Sequence, residues 1–478
     1  MQKKKTAAAQ KNRVDARQEK YVKMTTAPVE RLILKLSVPT IASLLVTAAY
    51  NLADTYFVST IGGAEGTVAI AAVSAALAVM TLLQALGFFI GQGSANFISR
   101  ALGRKDVEKA SEMAATGVLC ILIVGVTVGA LGLIFVRQIA GLLTNVEAVV
   151  PVLAQYLRWI FLAAPLMTCS FCLNNQLRFQ GNAVYAMIGV VCGAVLNVGL
   201  DPLFIHGFGM GAEGAALATA ISQSVSFLVL LRGTFRGDNL RIHLRRARLS
   251  AENLAWIVKG GLPSLMRQGC ASISVLALNR VAGELGDSLP AVGGAVLMAA
   301  FGLVSKVVLM ANYVVIGFGQ GYQPVCGFNY GAGKYARVRQ AFRFLVLITA
   351  GWCLLFTAAG ELLAPHIVNL FPDAEPAVRA LAQTILRFQC VTFLVNCWVV
   401  PSNMTQQTMG KTVSASVLAM ARQGMFLVPL VLVLPRLFGL LGLELCQPIS
   451  DVLALCLALP LQLRVLRQLR APDREVAP

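Results

Sequence analysis

The chain has 478 residues, 57% of them hydrophobic and only 13% charged, with a mean hydropathy of +0.72, far more apolar than a soluble domain. A net charge of +18 would point to nucleic acid in a soluble protein, but the basic residues gather in short connections and tails between apolar runs, where they are topology signals and exclude a nucleic-acid partner. Eleven cysteines, an odd number scattered through apolar runs, exclude a disulfide framework and read as small buried hydrophobes.

The apolar runs reach the roughly 20 residues a helix needs to cross the hydrocarbon core and lack the alternation of an outer-membrane barrel. The fold class is therefore all-α and integral to the membrane. Residues 1–30, opening "MQKKKTAAAQKNRVDARQEK", are basic and polar with no apolar core behind them. That is no cleavable signal peptide; it predicts a disordered cytoplasmic tail.

Twelve spans follow, near 32–58, 68–92, 113–136, 153–177, 183–206, 212–232, 254–282, 291–320, 341–363, 379–402, 411–434 and 442–463. Cys169 and Cys172 in span 4 form a C-x-x-C, but no second pair or nearby histidine completes a zinc site. "GFGQG" at 317–321 lacks the strand and the Lys-Ser/Thr of a phosphate loop and predicts close helix packing. "NMT" at Asn403 matches a glycosylation sequon at a cytoplasmic span end, where it goes unused. With His206, His243 and His366 the only histidines, no Ser-His-Asp arrangement forms, and no metal-ligand cluster or nucleophile pair marks an enzyme.

Lysine and arginine crowd the N-terminal tail, the second connection (Arg100, Arg104, Lys105, Lys109), the sixth (Arg236, Arg241, Arg245, Arg246, Arg248), the eighth (Lys334, Arg337, Arg339) and the C-terminal tail (Arg467, Arg470, Arg474). The opposite loops carry Glu65, Glu147, Glu284, Asp287, Asp373 and Glu375. The positive-inside rule places both termini in the cytoplasm of a multi-pass inner-membrane protein, and twelve spans agree with that parity.

An internal repeat is also visible. "GQGSANFISRALGRKDVEKA" from Gly91 recurs loosely as "GQGYQPVCGFNYGAGKYARVRQA" from Gly319, and Pro39 in span 1 has a counterpart in Pro263 in span 7. Each half holds six spans, an even number, so the two six-helix lobes are expected to be related by a pseudo-two-fold axis along the membrane normal, as in transporters built from parallel repeats. The expected divisions are a tail (1–30), an N-lobe (31–232), an arginine-rich cytoplasmic linker (233–253), a C-lobe (254–465) and a cytoplasmic tail (466–478).

An ionised carboxylate inside a bilayer costs roughly 2.5 to 3.5 kcal/mol even on the insertion scale, so each one needs a reason. Asp54, in "YNLADTYFV" of span 1, and Asp201, in "LNVGLDPLFI" of span 5, each sit about five residues, or about 7 Å, from the outer end of their span. Asn197 lies four residues before Asp201 and shares its helix face. Thr219 lies about two turns below the start of span 6, at the same level. This oxygen set suits a hard monovalent cation or a proton shared between two carboxylates, and the residues leave both open. An interfacial, hydrated position for the two acids is the plainer alternative. Pro202 removes a backbone donor to Val198 and loosens the turn beside Asp201.

Asn174 in span 4 and Gln223, one turn after Thr219, are weaker candidates for lining a substrate cavity, the alternative being hydrogen bonds between helices. Asp451 in span 12 is an acid within a C-lobe span; it is expected to pair with Arg267 or Arg422, with a substrate contact as the alternative.

Taken together, "P-x10-YNLADTYFV", "GQGSANFISRALGRKD", "LNVGLDPLFIHGFGMGAEGAALATAISQ" and "GFGQGYQPVCGFNYGAGK" resemble the MATE family of multidrug and toxic-compound extrusion transporters over roughly residues 30–465, with the bacterial MepA-like and DinF-like branch nearest. The resemblance implies a V-shaped pair of six-helix lobes and cation-driven antiport of organic cations by alternating access. It carries the N-lobe cation site onto Asp54, Asn197, Asp201 and Thr219. The C-lobe site that some members build on acids in spans 7 and 10 has no counterpart, because neither span here holds a carboxylate.

The expected function is Na⁺- or H⁺-coupled export of amphipathic, cationic small molecules by a monomer in the lipid bilayer, with no cofactor beyond the coupling ion and no enzymatic activity. The alternative is a flippase for lipid-linked saccharides of the same superfamily, using Arg267, Arg280 and Lys306 to hold a diphosphate.

Overall fold

The structure, a computed structural model, describes residues 15–236, 238–287, 293–369 and 375–473. Of the topology signals above, Asp373 and Arg474 lie outside the described residues, as does the tail before residue 15. No strand occurs among the described residues.

Residues 15–26 form a helix, α1. This corrects the expectation of a wholly disordered tail. The composition is polar, but tertiary contacts hold the segment: Lys20 pairs with Asp238 at 2.8 Å, the Asn329 amide donates to the Met24 carbonyl at 3.1 Å, and Met24 and Thr25 are buried. Local propensity yields to such contacts.

The first half continues with α2 (Val29–Ser59), α3 (Gly63–Gly103), α4 (Val107–Ile134), the short α5 (Val136–Leu143), α6 (Val149–Phe179), α7 (Ala183–Pro202) and α8 (Gly211–Phe235). The second half comprises α9 (Ala251–Asp287), α10 (Gly294–Gly331), α11 (Tyr335–Asn369), α12 (Pro376–Phe393), α13 (Asn396–Thr408), α14 (Thr412–Met420) and α15 (Leu427–Gln468). Nine helical stretches among the described residues are long and apolar enough to cross a bilayer, Thr412–Gln468 counting as one. That last stretch breaks at Gly439, whose φ of 58° and ψ of −134° only glycine adopts without strain, and so supplies spans 11 and 12. The α12–α13 pair, bent by 56°, forms span 10. With α9, which is long but carries Lys259, Arg267 and Arg280, the twelve expected spans are accounted for.

The helices outrun the apolar windows that predicted them. Residues 92–103 of α3 continue the helix of span 2 rather than leaving it as a loop, and Gln92, Ser94, Asn96 and Ser99 there are buried. α10 likewise runs on through Gln320, Gln323 and Asn329, all buried. These ends face protein rather than lipid, so their polar groups are not exposed to hydrocarbon. The Asn403 amide donates to the Ala415 carbonyl at 2.6 Å in a buried setting, so the sequon is not presented. All eleven cysteines are free thiols.

The chain divides into two compact units. The first runs through Gly261 and takes in Gly327–Ala332; the second comprises Leu262–Cys326 and the chain from Gly333. In the first, α6 is the central helix, packed against α3, α4 and α8 and buried around most of its circumference, with Tyr156, Leu157, Ile160, Ala164 and Leu173 fully enclosed. The core of the second gathers Phe301, Val304, Ile385, Leu386, Val431 and Leu443. "GFGQG" lies inside α10, and a Cβ on Gly319 would meet the Met404 sulfur at 2.2 Å, as close helix packing requires.

Within the first unit the two copies of the repeated motif touch each other reciprocally. A Cβ on Gly103 would lie 2.2 Å from the Phe328 carbonyl oxygen, and one on Gly331 would lie 2.2 Å from that of Arg100. The repeat that aligns Gly91 with Gly319 also aligns Gly103 with Gly331 and Arg100 with Phe328. Backbone meets backbone on both sides, and only glycine leaves the space.

Candidate functional site

Gly189, Gly193, Asn197 and Asp201 recur every four residues and so form one stripe along α7. The two glycines admit α8: a Cβ on Gly189 would strike Leu230 at 2.4 Å, and one on Gly193 would lie 3.1 Å from the Ser226 Cβ. Small-residue stripes of this kind bring helix backbones together. One and two turns further along, the same face carries the polar pair against α8. After Pro202 the helix widens into a π-type turn, Leu203–Gly207, at the point where proline removes a backbone donor.

The structure brings together all four residues expected to hold a cation. Asp201 is wholly buried, and Asp54, Asn197 and Thr219 are between 2% and 8% exposed. The Asn197 amide nitrogen donates to Asp201 Oδ1 at 3.2 Å and lies 3.4 Å from Thr219 Oγ1. Asp54, on α2, is close enough for its charge to act on Asp201. Neither carboxylate has an ion-pair partner among the described residues.

Three acceptors of this nest, Asp54 Oδ1, Asn197 Oδ1 and Asp201 Oδ2, are buried with no hydrogen-bond donor among the described residues; Ser222 Oγ, on the face of α8 that carries Thr219, is another such atom. Buried polar groups in folded proteins nearly always have a partner, and exceptions call for an ion, a proton or a water. All of these acceptor atoms are oxygens, a donor set that suits a hard cation. Among the described residues no three His, Cys, Asp or Glu side chains cluster in the way a transition-metal site would need.

One member of the nest was missed. Tyr156 on α6 is fully buried, and its hydroxyl interacts with Thr219 and with the charges of Asp54 and Asp201, with the Met80 sulfur 3.9 Å away. Tyr156 sits at the same depth as Thr219. Tyr156 lies seven residues after Val149 and Thr219 eight after Gly211, on helices that start at the same membrane face.

The weaker candidates fall elsewhere. Asn174 donates to the Ala186 carbonyl at 3.0 Å, joining α6 to the first turn of α7. That is about 22 Å along the helix from Asp201 at 1.5 Å per residue, so Asn174 is not part of the nest. Gln223 sits one turn past Thr219 and is half-buried. Asp451 belongs to the second unit, 2% exposed, where it accepts from Arg422 Nε at 2.6 Å, Gln447 Nε2 at 2.8 Å and Thr392 Oγ1 at 3.4 Å. Its ion-pair partner is Arg422, not Arg267. Arg422 sits in a π-type turn, Ala421–Phe426, whose irregular backbone is bonded by Ser450 Oγ at the Arg422 carbonyl and by Ser274 Oγ at the Gln423 carbonyl. Of the cations a flippase would use, Arg280 pairs with Glu284 at 2.9 Å on an exposed face, and Lys306 is exposed.

A family model described as MatE matches residues 39–203 and 263–433. The multidrug export protein MepA of Staphylococcus aureus (strain NCTC 8325 / PS 47) is 27% identical over 418 residues, 87% of this chain and 89% of that protein. A MOP superfamily transporter from Pyrococcus furiosus Vc1 superposes with a TM-score of 0.86 at 26% identity, over 94% of this chain and 99% of that one. An outward-facing multidrug resistance MATE family transporter of the MOP superfamily gives the same TM-score, identity and coverage. With the matched segments covering well over half its length, the chain belongs to the MATE family of membrane transporters.

Proposed function

We propose that this protein is a cation-coupled antiporter that exports amphipathic organic cations by alternating access, with Na⁺ or H⁺ as the coupling ion. The ion is held by Asp54, Asn197, Asp201 and Thr219, with the Tyr156 hydroxyl as a further contact. The observation that carries the reading is the set of buried oxygen acceptors on Asp54, Asn197 and Asp201 that lack a donor among the described residues. Two enclosed carboxylates with no ion-pair partner among the described residues create a place whose favourable occupant is positive.

Binding there would bridge α2, α7 and α8, so loading and release can change how these helices pack. Pro39 inside α2 and Pro202 with its π-type turn in α7 supply the points at which backbone hydrogen bonding is already incomplete. Export of drug-like compounds is supported by the multidrug export function of the S. aureus relative, and alternating access by the outward-facing state of a solved neighbour. The basic loops support a multi-pass inner-membrane topology with both termini cytoplasmic, an N-lobe over 31–232, a linker over 233–253 and a C-lobe over 254–465. The protein acts as a monomer on small molecules, without an organic cofactor and without enzymatic turnover.

The test is uptake of a fluorescent organic cation into proteoliposomes under an imposed Na⁺ gradient and, separately, a pH gradient. One gradient drives transport by the wild type, and Asp54→Asn and Asp201→Asn abolish it while remaining in the membrane. Full transport by both variants would overturn the proposal.

A further inference from the structure

α1 turns a cationic face inward. Arg17, Lys20, Tyr21 and Met24 recur at helical spacing on the side that meets the protein, while Val22 is 45% exposed. A helix lying on a membrane would do the reverse, placing its apolar residues in lipid and its cations outward.

Beneath this face lies a cavity of about 270 Å³, lined by Arg17, Lys20 and Tyr21 of α1, Lys105 from the α3–α4 connection, and Gln180 and Asp238. Leu102, Val107, Leu240 and Phe328 give it an apolar floor. Among the described residues three cations and one carboxylate thus line it, and that carboxylate is engaged by Lys20 at 2.8 Å. Arg17 reaches the Asn239 carbonyl.

Lys105 has no ion-pair partner among the described residues and lies over the Tyr21 ring, 5.4 Å from its centroid. Its backbone carries a second sign of purpose. Lys105 is the one non-glycine residue with positive φ, 63°, among the described residues, a conformation that strains any residue with a Cβ. The aligned position in the second copy of the repeat is Gly333, at φ 73°. The same turn is thus built with glycine where no side chain is needed and with lysine where one reaches the cavity. Burial pulls the Lys20 ammonium below the usual lysine range against the opposing pull of Asp238. A second anion beside it would relieve that penalty.

We propose that this cavity is a binding site for a phosphate-bearing anion, held by Lys105, Lys20 and Arg17, with its apolar floor taking any alkyl portion. The chemistry is shared by free phosphate and by an anionic phospholipid headgroup, and basic pockets at the cytoplasmic ends of membrane helices hold such headgroups. The site is separate from the Asp54–Asp201 nest, so a negative result here leaves the coupling proposal standing.

The full chain in a neutral detergent is titrated calorimetrically with inorganic phosphate and, separately, with dihexanoyl phosphatidylglycerol below its micellar concentration. Lys105→Gly is the variant, since glycine suits the left-handed backbone and removes only the side chain. Saturable binding of at least one probe to the wild type, weakened about tenfold in Lys105→Gly, is expected for loss of one charge-assisted contact. Binding of the phosphatidylglycerol alone identifies a lipid headgroup, and binding of phosphate alone or of both identifies the phosphate group as sufficient. No binding of either probe, or equal affinity in wild type and Lys105→Gly, would overturn the proposal.

Discussion

Replacing Gly103 or Gly331 by alanine tests the reciprocal contact between α3 and α10 in the first unit. Each new Cβ would stand 2.2 Å from a carbonyl oxygen, whereas a carbon and a carbonyl oxygen settle at about 3.3 to 3.6 Å. The helices must therefore separate by about 1 Å, because the obstructing atom is backbone and cannot rotate away. Overpacking of this kind costs about 1 to 3 kcal/mol, set against about 0.5 to 1 kcal/mol that alanine ordinarily gains over glycine in a helix. Thermal unfolding in detergent is expected to show both single variants destabilised to a similar extent, since the contacts mirror each other. The double variant should fall short of the sum, because one insertion already opens the shared seam. Gly351→Ala in α11, where nothing lies within 4 Å of the added Cβ, is the control and should be neutral or slightly stabilised. A Gly103→Ala protein that melts with the wild type or with the control would refute this packing.

In the second unit, Asp451→Ala leaves Arg422 without its carboxylate; with Arg422 16% exposed, a loss of about 2 to 4 kcal/mol is expected, and an unchanged melting temperature would contradict a structural role. Asp451→Asn should be milder, because Gln447 and Thr392 still find a polar partner. Tyr156→Phe removes one hydroxyl from the nest and should weaken half-saturation by the coupling ion about 2- to 12-fold, with unaltered dependence counting against its membership. Asp238→Asn should loosen α1 from the body by removing the partner of Lys20, seen as faster proteolysis before residue 28; wild-type resistance would show that the ion pair does not hold the helix.

The spans and the cluster of buried oxygens were legible because both rest on strong signals: long apolar runs, and acids placed where a bilayer makes them costly. Asp201 announced itself, and the four-residue step to Asn197 gave its face. Helix ends were less legible. Residues 92–103 and 320–331 are polar enough to end a hydropathy window, yet they are helical and buried against protein, and only tertiary structure distinguishes such burial from a loop. Tyr156 escaped because an isolated tyrosine in an apolar span reads as packing unless its depth is compared with that of the acids. α1 escaped for the opposite reason, since its order comes from residues far away in sequence, Asp238, Lys105 and Asn329. The choice of Arg422 over Arg267 as the partner of Asp451 depended on the π-type turn at Ala421–Phe426, which no periodicity announces.

The central claim is that the buried acceptors of Asp54, Asn197 and Asp201 bind the coupling ion. Its most direct measurement is on purified protein in detergent: Na⁺ binding by calorimetry and, in a weakly buffered solution, proton release on adding an organic cation. The wild type should give one of the two signals at a single site, and Asp201→Asn, which keeps the shape and the Asn197 contact but loses the charge, should give neither. An Asp201→Asn protein that binds Na⁺ or releases protons as the wild type does would contradict the account.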